Sequence, residues 1–165
     1  MGDFMSAGKP IPASLRRKSS ARLAAVQCLY RLRLMGEEMS AETLLEEYLA
    51  QWKDDKDTGA HVISRDAEPD KAFLRKLLSG LLEKREDIDV LIRAALSDKW
   101  TMERMSPLLL SLLACAIYEM RFAGPLAPAI VINEYVTLTG RFFETPEMGF
   151  VNGLLDSLAK EGPGA

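Results

Sequence analysis

The stretch Val131-Ile132-Asn133-Glu134-Tyr135-Val136-Thr137-Leu138-Thr139-Gly140-Arg141-Phe142-Phe143-Glu144-Thr145-Pro146-Glu147-Met148-Gly149-Phe150-Val151-Asn152-Gly153-Leu154-Leu155-Asp156-Ser157-Leu158-Ala159 decides the fold. It divides into two helices and a turn. The first helix carries Ile130, Glu134, Val136 and Leu138 and ends between Gly140 and Phe143. The second opens with Thr145 as N-cap, Pro146 at the first helical position and Glu147 in the first turn, where its charge complements the helix dipole. Beyond it Phe150, Leu154, Leu155 and Leu158 recur at helical spacing, which predicts a core helix in a bundle.

Working outward, the chain of 165 residues fits one domain with a self-sufficient core. The net charge of -3 hides an asymmetry. Lys9, Arg16, Arg17, Lys18, Arg22, Arg31 and Arg33 fall in one segment without an acidic residue, so the remainder carries -10. A basic arm on an acidic body is the pattern expected where one end meets a polyanion. Cys28 and Cys115 lie in apolar helical patterns and read as small buried hydrophobes. With no disulfide framework and no apolar run of membrane length, the expectation is a cytoplasmic protein that is neither exported nor membrane-spanning.

Residues 1–18, rich in Gly and Pro and poor in bulky apolar side chains, predict a mobile basic tail. Ser19 or Ser20 then caps a helix running to Met35, with Gly36 as its C-cap. Val26, Leu29 and Tyr30 share a face of it. A second helix follows Ser40, with Leu44, Leu45, Tyr48, Leu49 and Trp52 at core spacing. The polar segment 53–68, which holds His61, reads as a loop. Pro69 and Asp70 open a third helix striped by Phe73, Leu74, Leu77, Leu78, Leu81 and Leu82. A break at 83–87 precedes Ile88, Leu91, Ile92, Ala95 and Leu96, and Ser106-Pro107 starts a helix that is apolar on every side through Tyr118. Such a helix sits at the centre of a bundle or under a partner. No period-2 run bounded by turns occurs, so the fold class is all-α.

Particular residues carry a resemblance to the NusB family of bacterial transcription antitermination proteins. They are Ile132-Asn133-Glu134, Phe142, Phe150-Val151-Asn152-Gly153 and Leu155-Asp156, joined by Ala25-Val26-Gln27-Cys28-Leu29-Tyr30, Phe73 to Leu77 with Gly80, Ile88-Asp89 with Ile92, Trp100, Arg104 and Tyr118-Glu119. The resemblance extends over nearly the whole chain beyond residue 18. It implies a NusB-like fold of two packed helical sub-bundles, about 19–84 and 85–160, with about seven helices in a single domain 19–165. It also implies an RNA-binding factor that meets the single-stranded boxA element together with the ribosomal protein serving as NusE. That assembly modifies RNA polymerase as an antitermination complex in ribosomal RNA operons.

The chemistry follows from charge and from that resemblance. Arg and Lys neutralise phosphates, and single-stranded bases are read by stacking and edge contacts. From charge alone, Arg16, Arg17, Lys18 and Arg22, with Ser19 and Ser20, read equally as a solvated tail or as a phosphate contact aided by the free N–H groups of a helix start. The family's arginine-rich motif falls at this place, on Lys18, Ser19, Ser20 and Arg22, although Ser19 and Ser20 stand where the family usually has arginines. Tyr30 matches a position near the RNA, and as a plain helix aromatic it would be half-buried against the core. Leu109, Leu110 and Ala114 stand where the family commonly has charged residues bordering the NusE-type surface. They are expected either to deepen the core or to form an apolar interface, heterologous or homodimeric.

Neither catalysis nor a cofactor is expected. His61 has no companion for a triad, the cysteines lack an electropositive exposed setting, and metal ligands are too few. Two other readings compete. One is a paralogous protein-interaction module that has lost RNA binding. The other is an RNA-binding domain related to the N-terminal domain of 16S ribosomal RNA cytosine methyltransferases, which would need a further catalytic domain.

Overall fold

Helix signals along the chain become seven α-helices and one 3-10 turn among the residues that the computed structural model describes, 10–58, 67–97, 100–124 and 126–162. They are α1 (Ala13–Met35), α2 (Ala41–Thr58), α3 (Lys71–Glu83), α4 (Arg85–Ala95), the turn Met102–Arg104, α5 (Pro107–Arg121), α6 (Pro128–Thr139) and α7 (Thr145–Glu161). No strand occurs among the described residues. His61 lies outside them, as do residues 1–9.

Local chemistry explains most of the boundaries. Asp70 caps α3 by accepting the Phe73 N–H at 3.0 Å, Ser40 accepts the Thr43 N–H at 3.1 Å, and Ser106 accepts the Leu109 N–H at 3.4 Å ahead of Pro107. Gly36 ends α1 at φ 66, the left-handed region in which a side chain would be strained. The break between α3 and α4 falls at Lys84, inside the expected window. The N-cap of α7 is Glu144, one residue before the expected Thr145. Its N–H donates to the Glu147 carboxylate at 3.0 Å, so the acid three residues on selects the start.

The start of α1 differs more. The helix begins at Ala13 behind Pro12, so Arg16, Arg17 and Lys18 are helical, and Ser19 and Ser20 are interior residues rather than caps. Little burial was expected of residues 13–18 and little occurs, since all six are exposed. Leu, Arg and Lys are nevertheless good helix formers, and extending a helix already nucleated by its packed part costs little. The first turns are also tied down: the Asp70 N–H donates to the Arg17 carbonyl at 3.0 Å, and Arg17 Nε donates to the Glu68 carbonyl at 3.4 Å.

Helix α5 runs through the centre, with every residue from Leu109 to Glu119 buried. α1, α3, α4, α6 and α7 all pack on it, α2 reaches the core through α3, and α6 pairs with α7. One continuous apolar cluster results. This overturns the interface expected at Leu109, Leu110 and Ala114. Their exposures are 9, 5 and 2%, because neighbouring helices of the same chain already cover the whole circumference of α5. Small residues let the helices approach: Ala21, Ala24 and Ala25 line the buried face of α1. Gly80 lies so close to Tyr118 that an added Cβ would sit 1.8 Å from the phenol oxygen.

Two predictions follow from this packing. Gly80→Ala should destabilise by about 2 kcal/mol, overpacking outweighing the helix propensity of alanine, and thermal melting should show a drop of roughly 4–8 °C. Gly149→Ala or Gly153→Ala in α7, where an added Cβ meets nothing, should raise the midpoint instead. The second prediction concerns the thiols. Burial pushes Cys28 up to about 12 and Cys115 well above its ordinary range. In the unfolded chain both ionise near pH 8.5, whereas the native state holds its protons, so stability should fall as pH rises from about 9 toward 12. At pH 8 both thiols should resist a disulfide reagent until the chain unfolds. Rapid labelling of native protein would contradict this packing.

Candidate nucleic-acid interface

Successive helical residues are about 100° apart, so Arg16, Arg17 and Lys18 fan across roughly 200° of the first turns of α1. All three are exposed and no acidic residue lies in the first turn. Arg17 leans toward the segment before α3. The Lys18 ammonium stands 5.7 Å from the centre of the Phe73 ring, on α3. Arg16 has no ion-pair partner among the described residues. Because the helix starts at Ala13, the N–H groups of residues 18–22 are consumed inside it and offer nothing to a phosphate.

The remaining expected site residues divide. Ser19 is half-buried and donates to Glu134 Oε2 at 3.2 Å. Ser20 is buried at 8% exposure and Arg22 at 5%, so neither meets solvent as the motif suggested. The Arg22 guanidinium forks onto Glu119, Nε to Oε2 at 2.7 Å and Nη2 to Oε1 at 3.1 Å, and lies 5.1 Å from the centre of the Phe73 ring. Glu119 also accepts the Tyr135 hydroxyl at 2.5 Å. Burial works against the charge of Arg22, but the hydrogen bonds and charge of Glu119 prevail and hold the guanidinium above its ordinary value. Burial, reinforced by Glu119, pushes Tyr135 well up, so its phenol remains a donor. Arg22 is thus a positioning residue that locks α1 to α5.

Tyr30 is half-buried and lies about 18 Å along α1 from Lys18 at 1.5 Å per residue, apart from the basic run. Glu119, Glu134, Tyr135 and Phe73 were not among the expected site residues. One signal was available, since a lone acid on the apolar α5 requires a buried cation as partner.

A second surface lies near the start of α7. Trp100 is 55% exposed, its ring centre 6.1 Å from that of Phe150. Together with Arg104, Phe143 and Pro146 the pair lines a cleft of about 350 Å³. Among the described residues no group of His, Cys, Asp and Glu could hold a metal ion, and no helix is long and apolar enough to cross a membrane.

Comparison with known proteins fits this geometry. Residues 19–160 match the model of the NusB family. The transcription antitermination protein NusB of Caulobacter vibrioides is 31% identical over 153 residues, which cover 89% of this chain and 95% of that protein. A structure of NusB from T. maritima superposes with a TM-score of 0.68 at 28% identity, covering 93% of this chain and 94% of the other. A chain in a crystal structure of the antitermination factors NusB and NusE with double-stranded RNA superposes with a TM-score of 0.67 at 25% identity, covering 88% and 98%. On the family match and on the all-helical fold, the chain belongs to the NusB family.

Proposed function

We propose that the chain is a transcription antitermination factor that binds boxA-like single-stranded RNA together with a NusE-type ribosomal protein. It serves as an adaptor in the RNA polymerase antitermination complex that supports ribosomal RNA transcription in the cytoplasm, without catalytic turnover. The observation that carries this reading is the exposed run Arg16-Arg17-Lys18 on the first turns of α1, free of acidic residues. Similarity to a protein solved with NusE and RNA supports the choice of partners.

In this proposal Arg16, Arg17 and Lys18 neutralise phosphates, Ser19 contributes at the edge of the run, and Arg22 holds the helix in place. The exposed Trp100, with the half-buried Phe150 beside it and Arg104 in the same cleft, offers stacking surface to unpaired bases. Arginine is favoured over lysine for phosphate because its planar fork engages two oxygens at once. With serines at 19 and 20, the charge available for contact comes from one turn earlier than in the usual family motif.

Binding of a boxA-like oligonucleotide, with and without the NusE-type protein and across a salt series, tests the proposal. Affinity should fall as salt rises and increase with the partner. Replacing Arg16, Arg17 and Lys18 together by alanine should reduce the slope of log K against log salt by roughly 2, at about 0.7 per lost phosphate contact. Weak binding indifferent to salt and partner would favour the protein-interaction paralogue.

A further inference from the structure

The charges behind the basic run do not balance. Glu119 satisfies Arg22 through both carboxylate oxygens, and its side chain is 3% exposed. Glu134, on α6, brings a second carboxylate to the same guanidinium at 3.8 Å, and its side chain is 33% exposed. The same Glu134 oxygen accepts the Ser19 hydroxyl. The trio Arg22, Glu119 and Glu134 therefore carries one negative charge in surplus, held at Ser19, the residue that follows Lys18 in the chain. The Ser19 hydroxyl, a donor at the inner edge of the basic run, is engaged from within the protein by an anionic oxygen.

We infer that Glu134 is an internal competitor of phosphate that lowers the affinity of the α1 surface for RNA. Its carboxylate occupies the Ser19 hydroxyl, and its charge opposes the approach of the nucleic-acid backbone to Lys18. The inference rests on the proposed use of Arg16, Arg17 and Lys18 as the RNA contact. A purely structural role for Glu134 is the rival reading, and it makes a different prediction. Arg22 keeps two bonds to Glu119 without Glu134, so removing the surplus charge leaves the lock between α1 and α5 in place.

Glu134→Gln keeps the size and one acceptor while deleting the charge. Its affinity for a boxA-like oligonucleotide at low salt should rise about threefold, the effect of one unit charge removed at roughly 6 Å in water, and the gain should shrink as salt rises. Retention on heparin should increase in parallel, with the melting midpoint close to that of the wild type. Glu134→Ala should gain at least as much, and adding Ser19→Ala to it should take back the part contributed by the freed hydroxyl. Equal affinity and equal heparin retention in wild type and Glu134→Gln would overturn the inference, as would weaker binding with a lowered midpoint. If the wild-type chain shows no salt-dependent RNA binding, the functional proposal fails, while the heparin comparison still decides the competitor role.

Discussion

One ion pair, Arg22 with Glu119, sets the terms on which the first helix joins the bundle. Both partners are almost fully buried, and removing either would strand the other in an apolar interior at a cost of about 3–5 kcal/mol. The cost of burying two charges is met by geometry: a forked guanidinium, a carboxylate that also receives the Tyr135 phenol, and the face of Phe73. Because the groups come from α1, α3, α5 and α6, this contact fixes the relative register of four helices. Leucine packing could tolerate slippage between them, and a forked hydrogen-bonded pair does not.

The rest of the architecture follows from α5. A helix with no polar face must be surrounded, and here the surrounding helices belong to the same chain. Small residues on α1 and Gly80 on α3 allow the close approach that this requires. The arrangement leaves the basic first turns of α1 and the aromatic cleft at the start of α7 at the periphery.

Much of this was legible in the residues, for reasons of distance along the chain. Caps and stripes are local, so Asp70, Ser106, Gly36 and the leucine stripe of α3 announced their elements, and the apolar run 108–118 announced a central helix. The beginning of α1 was obscured because composition reports burial, whereas residues 13–18 are helical without being buried. The fate of Arg22 was obscured because its partner lies 97 positions away, and a basic residue inside a basic segment carries no local mark of being internal. The same non-locality hid Glu134 behind Ser19, 115 positions apart. The interface anticipated at Leu109 and Leu110 foundered because counting apolar residues on one helix does not reveal how many neighbours enclose it.

Asp70 makes two bonds at once, its side chain capping α3 and its own N–H holding the Arg17 carbonyl. The first turns of α1 are thereby stitched to the entry of α3, and Arg17 Nε adds a second tie to the Glu68 carbonyl just before it. These ties lie outside residues 59–66, and the entropy of closing a longer connection grows only slowly with its length. The orientation of Arg16, Arg17 and Lys18 is therefore held by short contacts at Glu68 and Asp70, and does not depend on a connection of fixed length or composition.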